Sequence, residues 1–151
     1  MDIIADSENK NRVIVLINDI DLLAVQALRF AKTISDDITA FSVALDESAA
    51  ISLRMRWNKI NTDIPCVIRS MPDGGVVNPL LEFIESREFD YLPSDMITIV
   101  LPRLIISSRW HSFIHKDRSR YIERQLLKRK DIVVFVMPFY LAYGKAAQEI
   151  E

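Results

Sequence analysis

Two runs of apolar residues constrain this chain more than any other feature: 13–17 (VIVLI) and 96–101 (MITIVL). A strand with one wet face alternates apolar and polar side chains. A run without that alternation reads as a strand covered on both faces, which is the condition of central strands in a parallel sheet. Both runs are far shorter than the about 18 to 20 apolar residues of a membrane span, and Pro102 and Arg103 follow the second. The chain is therefore expected to fold as a layered domain that does not itself insert into a bilayer.

The rest of the pattern alternates strands with helices. After the first run, Asn18-Asp19 offers a helix cap, and Leu22, Val25, Leu28 and 31–34 recur at three and four residues. A second strand is expected over 38–45, then a helix opened by Asp46-Glu47-Ser48 and carrying Ile51, Leu53, Met55 and Trp57. Residues 65–68 (PCVI) read as a third strand, 72–75 (PDGG) as a turn, and Pro79 to Ile84 as a helix that tolerates proline in its first turn. The second apolar run is expected to close at Pro102, a basic loop and long helix to occupy 104–130, and a last strand to run over 132–137. Right-handed crossovers then favour an α/β fold, a doubly wound, five-stranded parallel sheet in the order 3-2-1-4-5. Residues 1–11 are expected to be a flexible lead-in, 12–141 a single domain and 142–151 a peripheral tail. Ligands of such sheets bind beyond the carboxyl ends of the strands at the switch point, here lined by 18–21 and 102–111.

Composition agrees with a folded domain. The 151 residues are half apolar and a quarter charged, with three glycines and one cysteine. Cys66 allows no intrachain disulfide and reads as a buried thiol, which fits a reducing, cytoplasmic compartment. The acidic start, with Asp2, Asp6 and Glu8, is unlike a signal peptide. A net charge of −2 conceals a basic block: 103–130 holds nine Lys or Arg against two acids. Such a block is either a solvated helix face or an attractor for phosphate, anionic lipid or an acidic partner. The interleaved Asp117 and Glu123 argue against nucleic acid.

Chemistry-bearing constellations are sparse. His111 and His115 share a helical face, but no cysteine lies near and Arg109 and Lys116 oppose a cation, so no metal is expected. Ser107, Ser108 and Ser112 have no nucleophile-elbow context, and no glycine-rich loop precedes a helix at Asn18 or Pro102. Asp19 and Asp21 read as helix caps before they read as magnesium ligands. The Arg109-Trp110-His111 cluster has two readings. It either packs an amphipathic helix on the sheet, or stacks a purine and neutralises its phosphate. No catalytic residues are expected, and the chain reads as a binding or regulatory module.

Taken together, 12–17 (RVIVLI), 27–32 (ALRFAK), 97–102 (ITIVLP), Arg109-Trp110-His111 with His115, and 133–141 resemble a known arrangement. It is similar to the universal-stress-protein-like cytosolic C-terminal domain of permeases in the amino acid–polyamine–organocation superfamily, especially KimA-type potassium importers. The fold implied is that of universal stress proteins and adenine-nucleotide alpha hydrolases. ATP-binding members carry a glycine pattern after the fourth strand, where this chain has 103–108 (RLIISS), so ATP is the lesser expectation. The resemblance implies a cytoplasmic domain attached to the transmembrane part of an inner-membrane permease, which dimerises and receives cyclic di-AMP. On that implication the nucleotide would meet Asn18, Asp19, Arg103, Ser107, Arg109, Trp110 and His111. The last strand stands at the sheet edge without a charged guard, so Val133, Val134, Phe135 and Val136 are the expected homodimer interface. Competing expectations are a dimeric interaction domain without a small-molecule ligand and an ATP- or AMP-binding stress protein.

Overall fold

The computed structural model describes residues 10–106 and 118–141. The lead-in up to residue 9, the tail over 142–151, and Ser107, Arg109, Trp110, His111 and His115 lie outside them. Nine elements alternate: β1 (Asn11–Leu16), α1 (Leu22–Ile34), β2 (Asp37–Ala44), α2 (Glu47–Lys59), β3 (Cys66–Ser70), α3 (Val77–Ile84), β4 (Met96–Ile106), α4 (Arg118–Leu126) and β5 (Ile132–Leu141). They form the expected five-stranded sheet, all parallel, in the order β3-β2-β1-β4-β5.

The two faces of β1 feed two separate cores. Val13, Val15 and Ile17 pack with Ala24, Ala27, Leu28 and Ala31 of α1 and with Trp57 of α2. Ile14 and Leu16 pack with Phe41, with Leu80, Phe83 and Ile84 of α3, and with Leu126 of α4. Helices α1 and α2 thus share one side of the sheet, and α3 and α4 share the other. The small alanines let α1 lie close to the strands. The opposite layer is filled by aromatic rings, with Phe41, Phe83 and Phe89 in successive contact at 5.6 and 5.2 Å.

Three local readings differ from the structure. Pro102 does not end β4, and Pro138 does not end β5: the two strands stay paired from Ile97↔Ile132 to Ile106↔Leu141. Proline is tolerated because β1 pairs with β4 only as far as Val100, so further on β4 has a neighbour on one side alone, and β5 is an edge throughout. Consequently 104–106 belong to a strand and not to a loop, and the helix described within the basic block is the shorter α4. Asn18-Asp19 does not cap α1; of the two acids read as caps it is Asp21 that does so, its Oδ1 accepting from the Ala24 amide at 2.9 Å.

At the amino ends of the strands Arg12 gathers the entering chain. Its Nε lies 3.0 Å from Asp37 Oδ2, its Nη1 3.9 Å from Asp95 Oδ2, and its guanidinium 4.0 Å above the Phe89 ring. Asp95 in turn accepts from the Leu92 amide at 2.8 Å and closes the turn that leads into β4. Leu80, fully buried between α3 and the sheet, gives a direct test of the aromatic-side core. Leu80→Ala should lower unfolding stability by about 2 to 5 kcal/mol in urea titrations, with the slope unchanged.

Candidate functional site

The β3-to-β4 connection crosses from one edge of the sheet to the far side of β1, so the loops after β1 and β4 diverge. A cleft of about 500 Å³ opens at that point. Its floor is Leu16, Ile17, Phe41, Leu101 and Pro102, and its rim includes Asn18, Asp21, Leu45 and Arg118. Ser42, one of the lining residues, is 1% exposed and its hydroxyl has no hydrogen-bond partner.

Of the residues expected to bind a nucleotide, Asn18 stands exposed on this rim. Asp19 accepts from the Ile20 amide at 2.7 Å and forms an ion pair with Arg56, which joins the β1–α1 loop to α2. Arg103 is partly buried and turned onto α4: its Nε donates to Ser119 Oγ at 2.7 Å and its Nη2 to Glu123 Oε1 at 2.8 Å. That fork fixes α4 against the extension of β4. Ser107, Arg109, Trp110 and His111 fall in the segment between Ile106 and Arg118, outside the described residues.

Asp21, expected as a helix cap at the switch point, holds both places: it caps α1 and stands in the cleft wall. One contributor, Arg118, escaped sequence reasoning. Arg118 opens α4 and faces the turn after β3. Its Nη1 lies 3.5 Å from where a Cβ on Gly74 would sit, and Gly74 has a φ of +70° that other residues rarely adopt. The adjacency of PDGG to the start of a basic helix exists only in three dimensions; the turn residues themselves were the available signal.

Among the described residues no group of three or more His, Cys, Asp or Glu could hold a metal ion. Cys66 is buried on β3, and burial pushes its thiol up from 9.0 to about 11 against the weaker pull of Arg54. Raised above its unfolded value, this group supports folding fully below about pH 9, and the support is lost as pH climbs toward 11.

These features define a class: a doubly wound α/β domain with a ligand-sized cleft at the switch point and, among the described residues, an edge strand paired on one side. A family model described as the KimA potassium transporter C-terminal domain matches residues 8–139. The chain belongs to that family. It is 26% identical over 129 residues to the potassium transporter KimA of Bacillus subtilis (strain 168), covering 85% of this chain and 21% of the relative. The chain therefore spans about a fifth of the length of that transporter, and none of its described helices is long and apolar enough to cross a membrane.

The state of Cys66 is directly measurable. At pH 8 the native chain should leave Ellman's reagent unreacted for many minutes, while the same chain in urea should release thiolate at once.

Proposed function

We propose that this chain is the cytoplasmic regulatory domain of a KimA-type potassium transporter, that it receives cyclic di-AMP beyond the carboxyl ends of its strands, and that it pairs with a second copy through β5. Its work on this reading is regulatory and not catalytic, and its fixed partner is the transmembrane part of the transporter. The observation that carries the reading is the switch-point cleft, placed in a domain whose family is attached to a potassium transporter. The cleft volume is in the range that holds a nucleotide-sized ligand, and the basic block beside it suits a dinucleotide carrying two negative phosphates.

The dimer reading rests on β5. The strand lies at the sheet edge, and among the described residues no strand pairs with its outer side. Val134 is turned toward the core shared with α3 and α4. Val133 and Phe135 point to the α1 side, where they are 44% and 39% exposed, and Phe30 stacks on Phe135 at 4.5 Å. Val136 is half-buried. Helix α1 packs on β1 and β4 and α2 on β2 and β3, so among the described residues neither helix is centred over the α1 side of β5. A second copy, related by a two-fold axis, would bury it twice.

Calorimetric titration of the purified chain with cyclic di-AMP, ATP and AMP tests the ligand. Saturable heat is expected from cyclic di-AMP, weakened by about tenfold or more in Arg109→Ala and Trp110→Ala. Heat from ATP alone would instead make it an ATP-binding stress-protein domain, and heat from none a pure interaction domain. For the interface, Val133→Glu should sediment as a monomer at concentrations where the parent chain is a dimer. Identical sedimentation of the two would move the interface away from β5.

A further inference from the structure

The outer face of α2 is apolar at its centre. Leu53 and Trp57 turn toward the sheet, and both are buried. At about 100° per residue, Ile51 and Met55 fall on the opposite side of the helix and point away from the domain. They are 55% and 59% exposed. Ser48 and Ser52, which flank them, are exposed as well and too short to cover them. Long cationic side chains commonly lie over such a pair, but the two nearest are held elsewhere. Arg54 donates to the Cys66 carbonyl at 2.6 Å, and Arg56 is paired with Asp19.

The ends of the same face carry opposite charges. Glu47 opens α2 and Lys59 closes it; both are exposed, and neither has an ion-pair partner among the described residues. Glu47, Ile51, Met55 and Lys59 follow at intervals of four, which makes them one ridge of the kind by which helices pack. The ridge is symmetric about Leu53, the midpoint of the helix. A two-fold axis outside that midpoint lays a second α2 antiparallel on the first. It sets Ile51 against the partner's Met55 and each Glu47 against the partner's Lys59. The charges thus select a second copy of this chain in one register, since a parallel arrangement would bring like charges together.

We propose that the outer face of α2 is a self-association surface, on which a second copy of the chain docks its own α2 antiparallel. The surface is separate from β5, because α2 packs on β2 and β3 at the other edge of the sheet. A single helix ridge covers less than the about 800 Å² per partner of a standard interface, so the contact is weak between free chains. It gains effect wherever copies are held close together, and it can then join pairs made through β5 into larger assemblies.

The test is sedimentation equilibrium of the full chain carrying Val133→Glu, which removes any contribution of β5, over a concentration series reaching about 1 mM. The average mass should climb from that of one chain toward that of two. Met55→Glu should lower the association constant by about tenfold or more. Glu47→Lys alone and Lys59→Glu alone each face like charges across the axis and should weaken association. An equimolar mixture of those two single variants restores opposite charges at both ends and should associate as well as the chain with neither. Both substitutions oppose the helix dipole, so urea midpoints are measured for each; the mixture keeps that cost, and its recovery cannot come from folding. Should Val133→Glu itself unfold, the same series in the parent background reads the growth in mass. No growth up to that concentration, growth that Met55→Glu leaves unchanged, or a mixture no better than its components would each overturn the surface. The β5 and nucleotide readings are untouched by any of these outcomes.

Discussion

The fold depends on burying β1 on both faces at once. Val13, Ile14 and Val15 are wholly inaccessible, so neither face of the strand touches water, and each must be covered by its own helical layer. At roughly 25 cal/mol per Å² of apolar surface, such residues contribute more to stability than the exposed ion pairs that surround them. Two layers on one parallel sheet require crossovers on both sides. The reversal of direction at β1 and β4 follows from that requirement, and with it the divergence of two loops at the carboxyl ends. The cleft is thus a by-product of the way the central strand is buried; the residues around it decide what enters.

This order of causes explains which parts were readable in the sequence. The apolar runs, the spacing of helical positions and the alternation of the two types are local signals, and they lead to a parallel sheet in the observed order. The prolines misled because a proline is read as a stop only where its amide would be needed on both sides of a strand. Whether β4 still has β1 beside it at Pro102 is a question of register, and the register is set by residues some eighty positions earlier. The same holds for the helix cap: Asp19 and Asp21 are equally good caps by composition, and Arg56, on the second helix, takes Asp19 for itself.

The candidate site was less legible for a similar reason. A search for phosphate-binding glycines after β1 and β4 finds none, because two of the three glycines of this chain, Gly74 and Gly75, lie after β3. They reach the site only when α4 brings Arg118 across them. Arg103, the obvious cation of the switch point, is drawn onto Ser119 and Glu123 and so acts on the position of α4. Charge counting along the basic block cannot distinguish an arginine that holds a helix from one that faces a cavity.

The two parts of the proposed function meet on one pair of strands. Leu101 and Pro102 form part of the cleft floor, and their register partners on β5 are Val136 and Met137, directly after the exposed Phe135. Phe135 stacks on Phe30, and α1, which carries Phe30, begins at Asp21 in the cleft wall. A ligand that shifts the start of α1 or the end of β4 therefore acts on the same apolar surface that a second copy would cover. Linkage then works in both directions: the ligand must bind the arrangement of β5 that favours the dimer with a different affinity from the other, if occupancy is to change how the two copies pair.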